Sequence, residues 1–169
     1  MKQAMVDYMQ KPIYDELYTP PEAIRPLLEY IDDGLVIWEP TDGGHSEISR
    51  MLRENGNEVI STHIAGGHDF FHYEPENYDC IITNPPYSLK TDFIRRAYST
   101  GKPFAFLLPI TALEGVERGK LYQQHGIELL VLDKRINFMK NKKNVWFNTS
   151  WFCYDILPQA LVFTTVGGV

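Results

Sequence analysis

Several kinds of residue and run are scarce in this chain, and each scarcity excludes a class of protein. Only two cysteines occur in 169 residues, Cys80 and Cys153, both in strongly apolar stretches. Two are too few for a zinc site without histidine help, and no metal-ligand spacing accompanies them, so no metal is expected. They read as buried free thiols packed as small hydrophobes, which suits a reducing, cytoplasmic compartment. The longest apolar run, Phe104 to Ile110, is far short of the roughly 20 residues that cross a bilayer. The segment from Met1 to Pro12 has no apolar signal core. No internal repeat or low-complexity segment is present. Positive charge is also in deficit: 16 Lys and Arg face 22 Asp and Glu, for a formal net charge of -6. That balance argues against tight autonomous binding to nucleic acid, where phosphate neutralisation supplies much of the affinity.

What is present is core-forming. The chain is 44% hydrophobic and 13% aromatic, enough for one domain over residues 1–169 with no linker and no separate recognition domain. One local excess departs from the acidic balance. Lys134, Arg135, Lys140, Lys142 and Lys143 cluster in sequence, offset nearby only by Asp133. This is either a solvated basic loop or a phosphate-contacting patch, with Arg135, Lys140, Lys142 and Lys143 as the candidate nucleic-acid contacts.

Short apolar strands alternate with helical stretches, which predicts an α/β fold: a mostly parallel sheet of about seven strands flanked by helices. A helix capped by Thr19 follows Pro20-Pro21, carries Ile24, Leu27, Leu28 and Ile31, and ends at Gly34. Strands are expected at 35–38, 58–64, 78–83, 104–108, 127–132 and 145–156. Helices are expected after Ser46, ending at Gly56, and through Phe93, Ile94 and Ala97 to Gly101. Residues 114–124 read as loops, and 164–169 as a loose tail.

The strongest chemical signal is the nonpolar run Tyr78-Asp79-Cys80-Ile81-Ile82-Thr83 leading into Asn84-Pro85-Pro86-Tyr87. Ligands of open α/β sheets bind at the carboxyl ends of strands. Two consecutive prolines fix the backbone and remove two amide donors, so nearby carbonyls point outward as acceptors. An exocyclic amine is a poor nucleophile because its lone pair is delocalised. The Asn84 side-chain oxygen and the Pro85 carbonyl can hold its two hydrogens and localise that lone pair, while Tyr87 offers a flat stacking face. The plainer alternative is a strand followed by a proline turn and a core tyrosine.

This pattern resembles the S-adenosylmethionine-dependent amino-methyltransferases with an Asp/Asn-Pro-Pro-Tyr/Phe motif, most closely phage and bacterial DNA adenine methyltransferases. The likeness runs from about Tyr18 to Leu157. Tyr18, Thr19 and Pro20 resemble the segment against the cofactor's methionine end. Glu39-Pro40-Thr41-Asp42-Gly43-Gly44 resembles the glycine-rich loop after the first strand, and Gly67-His68-Asp69-Phe70-Phe71 the stretch whose aspartate meets the adenine amino group and whose aromatic flanks that ring. The resemblance implies a Rossmann-like class I methyltransferase fold and S-adenosyl-L-methionine as cofactor. Asn84, Pro85, Pro86 and Tyr87 are its implied catalytic residues. Taken alone, Gly43-Gly44 is a turn, Asp69 a turn residue before core aromatics, and Thr19-Pro20 a helix start.

Two positions depart from the family pattern. His45 stands where the loop's second glycine belongs, and His63 where an acid would bind the ribose hydroxyls. A neutral imidazole accepts one hydrogen bond but offers no bidentate carboxylate. The implied activity is direct methyl transfer to the amino group of adenine in DNA, with RNA second and a phage or mobile-element source. Sequence specificity is left to a protein partner, to loops around Glu114–Gln124, or is low. Two alternatives remain: another planar amine, a protein glutamine amide or a guanine amine, and a weakly catalytic cofactor-binding or partner subunit.

Overall fold

In a computed structural model of the chain, which describes residues 18–138 and 146–167, helix α1 (Pro21–Leu28) precedes the sheet. Strand β1 (Val36–Glu39), helix α2 (Glu47–Glu54) and strand β2 (Glu58–Ser61) form the first crossover. Strand β3 (Cys80–Thr83), helix α3 (Lys90–Thr100) and strand β4 (Phe104–Pro109) form the second. Helix α4 (Val116–His125) leads into strand β5 (Glu128–Leu132). A small ribbon of β6 (Ile136–Asn137) and β7 (Trp146–Phe147) follows, then β8 (Thr149–Tyr154) and β9 (Leu161–Thr164). The sheet order is β2-β1-β3-β4-β8-β5-β9. Only β8 runs antiparallel to its neighbours β4 and β5, so the mostly parallel seven-stranded sheet flanked by helices is the fold the apolar pattern called for.

Period-two alternation divides the core between the two faces. Ile37, Ile82, Leu107, Leu130 and Trp151 point toward α1 and α2, which contribute Ile24, Leu27, Met51 and Leu52. Trp38, Ile81, Phe104, Phe106 and Phe152 point toward α3, which contributes Phe93, Ile94 and Tyr98. The second face is the aromatic one: Phe70 stacks on Phe93 at 4.6 Å between centroids, and Trp38 lies 5.1 Å from Phe70. Trp151 also binds α1 directly, its Nε1 donating to the Ala23 carbonyl at 2.7 Å in a fully buried bond. Both cysteines are free and buried. No helix among the described residues is long and apolar enough to cross a membrane.

The structure corrects several local expectations. Pro20, not Thr19, is the N-cap of α1, and no side chain caps that helix; Ser46 does cap α2, accepting from the Ser49 N–H at 3.2 Å. The second strand stops at Ser61, because His63 heads a 3-10 turn over Ile64–Gly66. The third starts at Cys80 rather than Tyr78. The long strand expected at 145–156 is broken at Asn148 into β7 and β8, and residue 145 lies outside the described residues. Most of residues 114–124, expected as loops, fall in α4 (Val116–His125), whose weak apolar periodicity leaves none of its residues fully buried. Of the expected loose tail, Thr164 belongs to β9, Val166 is buried with its N–H donating to Asp133 Oδ1 at 2.8 Å, and residues 168–169 lie outside the described residues.

Candidate active site

The chain leaves β1 toward β2 on one side and returns to β3 on the other. Helices α2 and α3 therefore depart on opposite faces, and a crevice opens between the carboxyl ends of β1 and β3. The loops at 39–44 and 84–87 flank this switch point.

Glu39, the last residue of β1, is 1% exposed. Its Oε1 accepts from the Thr41 N–H at 3.0 Å, Thr41 Oγ1 at 2.9 Å and Thr83 Oγ1 at 2.5 Å. The carboxyl thus joins the loop after β1 to the last residue of β3. Burial pushes its pKa up, only partly opposed by the bonds from Thr83, Thr41 and Ser46. Asp42 behaves oppositely. Its burial also acts to raise the pKa, but bonds from Ser49, Ser61, Gly44 and Ser46 outweigh that and hold it below the ordinary value of 3.8. Oδ1 accepts from the Gly44 and Ser46 N–H groups at 2.7 and 3.1 Å, and Oδ2 from Ser49 Oγ at 2.6 Å. Asp42 therefore shapes the loop from within. Gly44 turns it at φ +107°, a conformation that side-chain-bearing residues rarely adopt, whereas Gly43 lies over the His63 ring. His45 is exposed.

At the end of β3, Asn84 Nδ2 donates to Thr19 Oγ1 at 2.9 Å, across 65 residues of sequence. This contact fixes the amide so that Oδ1 is the acceptor on its other branch. Pro85 and Pro86 are buried; Tyr87 is half-buried and opens a 3-10 turn over Tyr87–Leu89. The Pro86 carbonyl accepts from the Leu89 N–H at 2.9 Å, and Lys90 Nζ donates to the Tyr87 carbonyl at 3.1 Å. Tyr18 is exposed while Thr19 and Pro20 are buried, and Thr19 is the residue of this segment that bonds Asn84.

Beside the β1 loop lies a cavity of about 550 Å³, lined by Pro40 and Thr41, by Ile64, by Asp69 to His72, by Leu89, and by α3 residues between Asp92 and Ser99. Asp69 closes the tight turn at its wall: Oδ1 accepts from the Phe71 N–H at 3.0 Å and Oδ2 lies 2.8 Å from His72 Nδ1. Phe70 is 3% exposed and packed into the aromatic core, so the half-buried Phe71 is the more open of the two rings. His63 Nδ1 accepts from the Ala65 N–H at 3.1 Å. A neutral His63 ring with Nδ1 accepting carries its hydrogen on Nε2.

Of the basic cluster, Arg135 is exposed, and its Nε donates to Asn148 Oδ1 at 2.9 Å. The Asn148 carbonyl accepts from the Ile110 N–H at 2.8 Å, which places Arg135 beside the carboxyl end of β4. Lys134 turns the other way and donates to the Val166 carbonyl at 3.0 Å. Lys140, Lys142 and Lys143 lie outside the described residues. No group of three or more His, Cys, Asp or Glu converges to hold a metal among the described residues.

Thr41 and Thr83 hold a place in the site that the motifs left unassigned. The signal was available: a threonine ending a buried apolar strand needs a polar partner, and Glu39 is within reach across the sheet. Arg118 was likewise unassigned, and it ties the loop after β4 to the start of α3: its guanidinium donates to the Ala112 carbonyl at 2.8 Å, to Thr91 Oγ1 at 2.6 Å and to the Glu114 carbonyl.

No protein-family profile matches the chain, and no curated protein matches it. Solved structures do. A Pyrococcus horikoshii protein assigned as an RNA methyltransferase aligns over 95% of this chain and 98% of its own, with a TM-score of 0.57 and 15% identity. A Vibrio vulnificus chain assigned as the modification subunit of a type I restriction enzyme aligns over 99% of this chain at TM-score 0.57 and 13% identity. This chain spans 51% of that subunit's length. A Listeria monocytogenes protein assigned as a class I S-adenosylmethionine-dependent methyltransferase aligns over 99% of this chain and 71% of its own, at TM-score 0.55 and 12% identity. The fold is thus that of the class I, Rossmann-like methyltransferases.

Proposed function

We propose that this chain is an S-adenosylmethionine-dependent amino-methyltransferase acting on the exocyclic amine of adenine in nucleic acid, DNA before RNA, as a single domain over residues 1–169. The observation that carries the reading is Asn84: a side-chain amide at the carboxyl end of β3, on the switch point, oriented through its Nδ2 by Thr19. The fold of the structural neighbours supports it.

The residues present fit the cofactor. The loop from Pro40 to Gly44 is turned by Asp42 so that backbone borders the crevice, and the adjacent cavity of about 550 Å³ presents a carboxylate, Asp69, beside the ring of Phe71. Tyr18, Thr19, Pro20, Glu39, Pro40, Asp42, Gly43 and Gly44 would border its methionine and ribose end. His63 would donate to a ribose hydroxyl, and Asp69 with Phe70 and Phe71 would hold the adenine. Bound S-adenosylmethionine supplies a methyl group on a sulfonium, the electrophile of the reaction. The protein's own work is positional and electrostatic. Asn84 Oδ1 and the Pro85 carbonyl accept the two amine hydrogens, Pro86 keeps the turn rigid, and Tyr87 stacks on the base. No covalent enzyme intermediate is required. A duplex base must leave its stack at a cost of a few kcal/mol, which stacking on Tyr87 partly offsets. Arg135 stands at the same sheet edge as a phosphate contact, with Lys140, Lys142 and Lys143 following in sequence.

The test compares tritiated-methyl incorporation into DNA, RNA and protein by wild type, Asn84→Ala and Asn84→Asp. Loss of the acceptor lowers kcat by about 100-fold or more, by analogy with deleting one transition-state hydrogen bond, while Asp keeps the acceptor and retains activity well above the Ala variant. Calorimetry shows the same affinity for S-adenosylmethionine in all three. Equal incorporation by wild type and Asn84→Ala refutes the role of Asn84, and a folded wild type that binds no S-adenosylmethionine refutes the enzyme. Incorporation into protein alone moves the substrate to a glutamine amide.

A further inference from the structure

Three oxygens close a ring between the two halves of the crevice. Thr41 Oγ1 lies 2.9 Å from Glu39 Oε1, Thr83 Oγ1 lies 2.5 Å from the same oxygen, and the two hydroxyls lie 2.6 Å apart. All three are hydrogen-bond distances. Three such contacts need three hydrogens, and the threonines supply two. Around a charged Glu39 both hydroxyls would donate to the carboxylate and face each other with no hydrogen between them. A neutral carboxyl contributes the third hydrogen, so that each oxygen donates to one neighbour and accepts from the other. The burial that pushes the Glu39 pKa up acts in the same direction.

The ring joins three segments. Glu39 ends β1, Thr41 belongs to the loop after it, and Thr83 ends β3 immediately before Asn84. Glu39 and Thr83 are 1% and 0% exposed. Thr41 is half-buried and is the one member of the ring that lines the cavity of about 550 Å³. Asn84 is held from elsewhere, by Thr19 ahead of α1. The last residue of β3 and the first residue after it are therefore anchored to different segments, and the two prolines that follow have fixed φ. Hydrogen bonds in a closed chain polarise one another, so loss of one weakens the rest.

We propose that Thr83 is a positioning residue that couples occupancy of the cofactor cavity to the aim of Asn84, through the hydroxyl ring it completes with Thr41 and Glu39. This deepens the assignment of Asn84 as the amine acceptor and rests on it. A ligand seated against Thr41 fixes that hydroxyl. The ring carries the constraint to Thr83, and the peptide between Thr83 and Asn84 carries it to the side-chain amide. Thr83 itself is sealed from solvent and touches neither ligand. Its leverage comes from geometry, because misplacing a reacting group by about 1 Å costs on the order of 100-fold in rate.

Thr83→Val removes the hydroxyl at nearly constant shape, and Thr83→Ser keeps it. Hydrogen exchange of the peptide covering residues 83–89, with and without S-adenosylmethionine, reads the coupling without turnover. Protection rises on cofactor addition in wild type and in Thr83→Ser. It does not rise in Thr83→Val, although calorimetry shows that this variant still binds the cofactor. In methyl incorporation, kcat of Thr83→Val falls about 10- to 100-fold with KM for the nucleic acid unchanged, whereas Thr83→Ser stays close to wild type. A wild type that binds S-adenosylmethionine with no change at 83–89 overturns the coupling and leaves the role of Asn84 standing. That arm decides the matter even where Thr83→Val does not fold. Equal losses of kcat in the Val and Ser variants, tracking a lowered thermal midpoint, assign Thr83 to packing alone and overturn the proposal as well. A folded wild type that binds no S-adenosylmethionine removes the enzyme and the coupling together.

Discussion

At the scale of single residues, Glu39 and Asp42 are three positions apart and are pushed in opposite directions. Glu39 is held by hydroxyls and one amide in a buried setting that favours the protonated form. Asp42 is held by enough donors to favour its charge. The sign for Glu39 follows from linkage. A carboxyl whose pKa is raised on folding binds more protons in the native state, so its contribution is present below about 4.5 and is lost as pH rises through the folded value. Glu39→Gln keeps an acceptor for Thr41 and Thr83 without an ionisable group. Its stability relative to wild type should therefore increase from pH 4 to pH 8, as read by urea unfolding. A flat difference across that range would mean that Glu39 ionises in the native state as freely as in water. Glu39→Ala removes the acceptor as well and should cost about 1–3 kcal/mol, the range for orphaned buried donors. For Asp42 the window is reversed: its contribution is present above about 3.8 and disappears as pH falls through the depressed folded value.

At the scale of elements, the last strand depends on a carboxylate that sequence patterning gave no reason to single out. Glu128 opens β5 and accepts from three consecutive backbone N–H groups, Asp155, Ile156 and Leu157, at 3.1, 3.0 and 2.8 Å. Asp155 sits at φ +54°, which turns those amides onto one anion. This cradle reverses the chain so that β9 can lie parallel to β5. Glu128→Ala should cost about 1–3 kcal/mol and lower hydrogen-exchange protection selectively in β9; protection lost evenly across the sheet would argue against a local role. The example shows what was legible. Strands β1, β3, β4 and β5 were readable because they are buried on both faces, and the proline turn because its residue types have few other uses. The strand β9 was hidden because only Val162 of its four residues is buried, so its signal is nonlocal. Helix α4 was hidden because it buries no residue fully. The Asn84–Thr19 bond and the Glu39–Thr83 bond join segments far apart in sequence. Local patterns bring such segments to the same crevice, while the atoms that meet are set by the tertiary fold.

At the scale of the whole molecule, charge decides how nucleic acid can be held. The net charge of -6 opposes a polyanion overall, and Arg135, anchored through Asn148 to the end of β4, is the described member of the basic cluster placed at the carboxyl end of the sheet. If the four cations at 135, 140, 142 and 143 each neutralise one phosphate, the logarithm of duplex affinity should fall with the logarithm of salt at a slope of about -3 to -4, and less steeply for a single strand. Replacing the three lysines by alanine should bring the slope to about -1, the share of Arg135 alone. Fluorescence anisotropy with labelled duplexes between low and physiological salt measures both slopes. A wild-type slope near zero would remove this edge from the interface. A steep slope unchanged in the triple variant would place the phosphates elsewhere. With so few contacts and an acidic remainder, the free chain should bind duplex only weakly at physiological salt. If a protein partner supplies sequence discrimination by adding phosphate contacts and base readout, it should steepen the measured slope when it is added.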